Sequence, residues 1–373
     1  LYKSTDSAYV FSLVVLQTPF VLLMNFSRNL LKWTFARTRF LIISLGFPIL
    51  YLLMLLCGVF FYDINIRQLF VLITLANILF GFLGIFFVRQ WLLLPKTFDY
   101  LRPLILFAIP YGVIAILASV VPVFEKYLAV KLVGAEAMGL YSAGAAIAAL
   151  VSLGSGAFQT AWGPFALSIH KKNVAGQTYN LVFKCYVVCT CFGILMLTGI
   201  SDSLISVLSS DRYLGAVVVV FPIAMGLGVF SIGWITDIGI ALSEKSYLSL
   251  YENFIFVLMT LVGIFLFTSI FGLVGVAIGV MVGYSLKTLV ASIIAQKTHP
   301  LPWSYVGPIS ILFITMIFGL MHTWMVAKEA SFYFSPILFC TLAAFFVLSL
   351  GFVICLNNSD RVELRRSILK YIK

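Results

Sequence analysis

Long, nearly continuous apolar runs dominate the chain. They fall near 8–27, 40–61, 69–89, 103–123, 136–156, 180–200, 214–241, 252–270, 272–295, 305–326 and 334–356. Each is close to the ~20 residues that an α-helix needs to cross a bilayer. Polar positions do not alternate with apolar ones inside the runs, which excludes the strands of a membrane β-barrel. The pattern predicts an all-α polytopic membrane protein with about eleven transmembrane helices and short loops.

Composition agrees. Of 373 residues, 62% are hydrophobic and 10% charged, and the mean hydropathy is +1.11. A soluble domain carries roughly a quarter charged residues. The net charge of +11 would suggest nucleic acid in a soluble protein. In a membrane protein it marks loops held against anionic lipid, so the expected partners are membrane lipids and no nucleic acid. Cys57, Cys185, Cys189, Cys191, Cys340 and Cys355 all lie within apolar runs without a CxxC pair, as small buried residues do. His170, His299 and His322 are far apart, and no metal site is expected.

Orientation follows from where Lys and Arg collect. Alternate loops on one side hold Arg28, Lys32, Arg37 and Arg39, then Arg89, Lys96 and Arg102, then Lys171, Lys172 and Lys184. Lys245, Lys287, Lys297 and the tail Arg361, Arg365, Arg366, Lys370 and Lys373 continue that side. The other side holds Lys3, Arg67, Lys126, Lys131, Arg212 and Lys328. The bias puts the C-terminus in the cytoplasm and residue 1 outside. The cluster from Arg28 to Arg39 is read mainly as a topology signal.

Breakers divide the chain further. Pro95, Lys96, Asp99, Arg102 and Pro103 interrupt the apolar pattern, and His299-Pro300-Leu301-Pro302 do so again. The expected parts are a three-span lobe over 1–99, a six-helix lobe over 100–298, and an extra helix pair with a basic tail over 299–373.

The most distinctive stretch runs from Pro122 to Lys172. Glu125-Lys126 follows an apolar segment, and then comes a helix of small residues that includes Gly139, Ser142, Ala143, Gly144, Ala145 and Ala146. Such a helix must sit tightly against neighbours or border a cavity. The stretch closes on Phe158-Gln159-Thr160-Ala161-Trp162-Gly163-Pro164-Phe165-Ala166. This order, above all Gly134 to Gly144 and Ala157 to Ala166, resembles the seventh and eighth helices of the bacterial polysaccharide flippases of the multidrug/oligosaccharidyl-lipid/polysaccharide exporter superfamily. Glu125-Lys126 stands where that family usually has Asp-Arg. The close match covers about 45 residues, and the span layout agrees over the rest. The resemblance implies that the first three spans correspond to helices four to six, so that the chain is N-terminally truncated relative to the family.

The resemblance also implies a function. The substrate would be an oligosaccharide repeat linked to undecaprenyl pyrophosphate, moved across the bacterial cytoplasmic membrane by alternating access. Other polysaccharide-assembly membrane proteins would be partners, and no cofactor is needed.

Several residues are candidates for the work. Lys287 ends the series Gly275-x3-Gly279-x3-Gly283-x3-Lys287. Residues four apart share a helix face, so a glycine ladder that admits a close neighbour leads to one ammonium group. It either meets an anionic headgroup in a cavity or snorkels to the cytoplasmic surface. Glu125 and Lys126 form either a surface ion pair or, as the resemblance implies, a functional pair, Glu125 in ion coupling and Lys126 at the substrate. Lys131 adds positive charge to the same rim. Asp237, near the cytoplasmic end of its span, either exchanges a proton for ion coupling or is a helix-end carboxylate reaching water. Gly163-Pro164 reads as a helix break, with Trp162 as part of a gate or as an interfacial anchor.

Catalytic patterns are missing. HExxH, GxSxG and the Walker loop do not occur, so the chain is read as a non-enzymatic transporter driven by a gradient. The alternatives are a drug/cation antiporter of the same superfamily, which calls for acidic residues in the lumen, and a membrane glycosyltransferase, polymerase or ligase. Short outer loops count against the latter. A non-transporting interaction protein is a third alternative.

Overall fold

A computed structural model describes residues 4–62, 65–92, 97–99, 101–243, 245, 247–328, 335–357 and 360–361. Among the described residues the regular structure is entirely helical, and eleven helical segments are long and apolar enough to cross a membrane. The protein is an all-α polytopic membrane protein. Large apolar side chains such as Phe60, Leu104, Leu153 and Phe265 are exposed along the spans, as a hydrocarbon solvent requires. The chain divides into two compact units, Leu1–Phe98 and Asp99–Lys373. Pro95 and Lys96, the boundary expected from sequence, lie outside the described residues, as do Arg365, Arg366, Lys370 and Lys373.

The first unit holds α1 (Ser4–Trp33), α2 (Arg37–Tyr62) and α3 (Ile66–Val88). α3 opens with a reciprocal cap, the Asn65 side chain accepting from Gln68 N and the Gln68 side chain from Asn65 N. Gly81 and Gly84 let α3 approach α1 at Phe20 and Ser27. Asn77 Nδ2 adds a hydrogen bond to Gln17 Oε1 at 3.2 Å. A small core of Met24, Leu31, Ile43, Phe80 and Val88 completes the unit.

The second unit begins with α4 (Leu101–Val133), α5 (Ala135–Ala148), α6 (Leu150–Ile169), α7 (Ala175–Gly199) and α8 (Ser201–Leu208). It continues with α9 (Val217–Thr236), α10 (Ile238–Leu242), α11 (Leu248–Phe271), α12 (Leu273–Thr298), α13 (Val306–Ala327) and α14 (Pro336–Ile354). α9 runs through the middle of this unit and buries most of its side chains. α4 runs ten residues past its expected end, because Glu125, Lys126 and Lys131 are good helix formers. It stops at Gly134, whose φ of 109° is open only to glycine without strain.

Gly163 and Pro164 do not break a helix. α6 passes through both to Ile169, since a buried proline inside a membrane helix removes only one backbone bond and neighbours can absorb the loss. The interruption comes instead at Ala149, between α5 and α6. Trp162 is not an interfacial anchor either. It is buried at 4% exposure, packs edge-on to Tyr179 and donates from Nε1 to the Trp234 carbonyl at 3.1 Å. The indole thus fastens α6 to α9.

The glycine ladder packs as its spacing predicts. A Cβ on Gly279 would sit 2.6 Å from both the Gly263 carbonyl carbon and Ile264 Cα, so α11 and α12 touch backbone to backbone. α13 and α14, expected as a separate pair, pack onto the second unit. Gly351 meets Val188 of α7, and Gly319 meets the Phe221 ring of α9. Lys184, expected in a loop, lies inside α7 at 3% exposure, paired with Asp360 at 2.8 Å. Arg361 next to it caps α14 by donating to the Phe352 and Leu356 carbonyls, both at 3.0 Å.

Exposed Lys172 and Lys245 lie at one end of the spans, and exposed Arg212 and Lys328 at the other. In a background free of native cysteines, Cys at the first two positions is expected to be shielded from an impermeant thiol reagent in intact cells. Cys at the other two is expected to be labelled. Labelling of the opposite pair would reverse the orientation.

Candidate functional site

Charge inside membrane spans is costly and is kept where it acts. In the second unit one cavity of about 340 Å³ gathers it. Asp237 comes from the end of α9, Glu252 and Asn253 from the first turns of α11, and Lys287 from the middle of α12. Tyr111 of α4, Gln159 of α6, and Phe230 and Trp234 of α9 line the rest.

Lys287 is placed by the close helix pair. Its stem leaves α12 where the ladder ends, and Nζ donates to Asn253 Oδ1 on α11 at 2.8 Å. The ammonium also stands over the Phe230 ring at 4.5 Å and the Phe256 ring at 5.5 Å. Phe256 stacks on Tyr284 at 4.6 Å, so the rings are themselves held. Two aromatic faces and an amide oxygen surround the cation. The side chain therefore turns into the bundle and does not snorkel to the surface.

Asn253 connects the two signs of charge. Its Nδ2 donates to the Ser249 carbonyl at 2.8 Å and approaches Glu252 Oε1 at 3.5 Å. Glu252 is 5% exposed, and its other oxygen, Oε2, is buried without a hydrogen-bond partner. Asp237 sits where α9 ends, its N–H bonded to the Gly233 carbonyl at 2.8 Å. The α9–α12 wall is fixed by Thr288 Oγ1 donating to the Val229 carbonyl at 3.1 Å and by Ser292 Oγ donating to Thr236 Oγ1 at 2.7 Å. Two carboxyl groups and one ammonium group thus line one cavity, whose wall these hydrogen bonds tie together.

The other candidates lie elsewhere. Glu125 is half-buried and accepts a hydrogen bond from the Tyr141 hydroxyl, which joins α4 to α5. Lys126 is exposed beside it. Lys131 is exposed as well, its ammonium 5.9 Å from the Tyr127 ring centroid. Neither lysine lines the cavity that contains Lys287. Trp162 supports the cavity from behind through Trp234, and Gly163 and Pro164 lie within α6 next to it. Of the expected residues the fold brings together only Lys287 and Asp237.

Glu252, Asn253, Gln159 and Tyr111 are site residues that the apolar pattern leaves unmarked. For Glu252 and Asn253 a signal exists. They are a polar pair at the mouth of a span that carries no further charge. A second cavity of about 430 Å³ lies between α6 and α7, lined mainly by apolar groups with Ser155, Tyr186 and Thr190 among them. No family model, curated protein or solved structure matches this chain.

Proposed function

We propose that the protein is a lipid-linked oligosaccharide flippase of the bacterial cytoplasmic membrane, similar to the polysaccharide members of the exporter superfamily. The observation that carries this reading is the charged cavity among membrane spans, in which Lys287 is held by two rings and an amide. It joins the residue pattern from Pro122 to Lys172. Under alternating access the pyrophosphate headgroup would draw on the ammonium group of Lys287, while its lipid tail stays in the bilayer. Lys126 and Lys131 lie in the last turns of α4, outside this cavity.

A second reading is a drug/cation antiporter. It is favoured by one observation: carboxyl groups outnumber ammonium groups in the cavity, with Asp237 and Glu252 against Lys287.

Reconstitution into vesicles separates the two. A flippase should make a polyprenyl-pyrophosphate oligosaccharide on the inner leaflet accessible to an impermeant lectin. Lys287→Arg should keep much of that rate and Lys287→Ala should remove it, at equal protein content. Movement of an organic cation without lectin access would favour the antiporter, and full flipping by Lys287→Ala would remove Lys287 from the site.

A further inference from the structure

One end of the first unit gathers positive charge from three separate segments. α1 and α3 lie side by side, Gly84 against Ser27, and Ile43 of α2 reaches the same glycine. Leu31, Ile43 and Val88 are buried there in one core. Just beyond them stand Lys32 in the last turn of α1, Arg37 and Arg39 at the start of α2, and Arg89 directly after α3. Arg28 lies one turn before Lys32 on the same face of α1. The joint is tight. Only Thr34, Phe35 and Ala36 separate α1 from α2, and the Ala36 N–H donates to the Leu31 carbonyl at 3.0 Å. Arg39 Nη1 donates to the Phe87 carbonyl at 3.4 Å, which ties the start of α2 to the last turn of α3.

The partners of these cations are neutral. Arg28 Nη2 donates to Asn25 Oδ1 at 2.7 Å. The Arg89 guanidinium stands 4.6 Å from the Phe86 ring centroid, and the Lys32 ammonium 5.6 Å from that of Trp33. Among the described residues of this unit Asp6 is the only carboxylate, and it belongs to the first turn of α1, at the far end. Like charges held together raise one another's free energy until an anion joins them. Trp33, Phe35 and Trp91 are exposed around the same end, as aromatic side chains are at the level of lipid headgroups.

We propose that this end of the first unit binds the headgroup of a bilayer phospholipid that carries two phosphates, as cardiolipin does. Arg28 and Lys32 take one phosphate. Arg39, bonded at Phe87, and Arg89, two residues further along, take the other, since guanidinium groups match phosphate oxygens in pairs. Arg37 adds to the field, and the three exposed rings lie against the glycerol and the upper chains. A topology signal needs only positive loops. A headgroup site needs the cations of separate segments in one place without counter-charges, and basic recesses at span ends bind lipids in this way. The site is independent of the transport reading.

The experiment places the purified full chain in phosphatidylcholine nanodiscs, to which cardiolipin or an equal charge of phosphatidylglycerol is added. A ligand of the folded state raises the melting temperature by mass action. The wild type should show a saturable rise with cardiolipin that exceeds the rise with phosphatidylglycerol. Arg39→Gln with Arg89→Gln should weaken the apparent cardiolipin affinity about tenfold or more. Lys171→Gln with Lys172→Gln removes two exposed cations of the second unit and should leave the response as it is. If loss of the Arg39 bond to Phe87 unfolds the first variant, Arg28→Gln with Lys32→Gln keeps that bond and must show the same weakening. Equal rises with the two lipids would overturn the proposal, as would an unchanged cardiolipin response in the variants of the first unit. The same rise from inorganic pyrophosphate in plain phosphatidylcholine discs would overturn it too, by showing a site for a free anion.

Discussion

Gly279→Leu is expected to leave almost no folded protein in the membrane. The Cβ alone would fall within 2.6 Å of the Gly263 carbonyl carbon and Ile264 Cα, atoms of a helix backbone that cannot rotate aside. Overpacking of a flexible core typically costs about 1–3 kcal/mol. Here the strain goes into separating α11 from α12, which also pulls Asn253 away from Lys287. Gly279→Ala should lower abundance in the same direction by a smaller amount. Gly154→Ala serves as the contrast, because a Cβ there meets nothing within 4 Å and should be tolerated. Membrane abundance and the fraction monodisperse in detergent are the measurements. Normal abundance of Gly279→Leu would mean that the two helices do not approach as described.

The second large effect is expected at Asp360. Its carboxylate lies 2.8 Å from a lysine that is 3% exposed. Removing one partner of a buried pair costs about 3–5 kcal/mol, because the other charge stays buried and uncompensated. Asp360→Ala should therefore lower the melting temperature strongly and release the segment around Arg361 from α14. The double variant Lys184→Met with Asp360→Ala should recover most of the loss, since an apolar pair of similar volume is often as stable as the ionic one. Thermal unfolding of the wild type, the two single variants Lys184→Met and Asp360→Ala, and the double variant gives the coupling directly. Equal destabilisation in the single and double variants would show that Asp360 acts through its bond to the Asn357 N–H and not through Lys184.

The spans were legible in sequence because a bilayer demands continuous apolar length, and that demand leaves little room for ambiguity. The ladder from Gly275 to Lys287 was legible for a related reason: spacing by four fixes a helix face whatever surrounds it. Which face other helices turn inward was not legible. A membrane helix is apolar toward lipid and toward protein alike, so Trp162 carries no mark that it is buried against α9. Pro164 was misread because proline ends helices in water more readily than in hydrocarbon. Glu252 was missed because a charge at the boundary of a span looks like the start of a loop. Only the fold reveals that α11 begins at Leu248, four residues earlier. Likewise, Glu125 has a neighbour of opposite charge in Lys126, but its hydrogen bond goes to Tyr141, sixteen residues on.

The Lys184–Asp360 pair has a consequence for biogenesis. Its members are 176 residues apart, and a ribosome adds about 5–20 residues per second. For roughly 10–35 s after Lys184 emerges, α7 exists without its counter-charge. Over that interval α7 is not a settled membrane helix, and the lysine has to be kept near water at the insertion machinery. Completion of α14 and the two residues Asp360 and Arg361 then locks α7 in place. A chain that stops after α13 would keep all the helices around the cavity and still carry a bare charge within the bilayer.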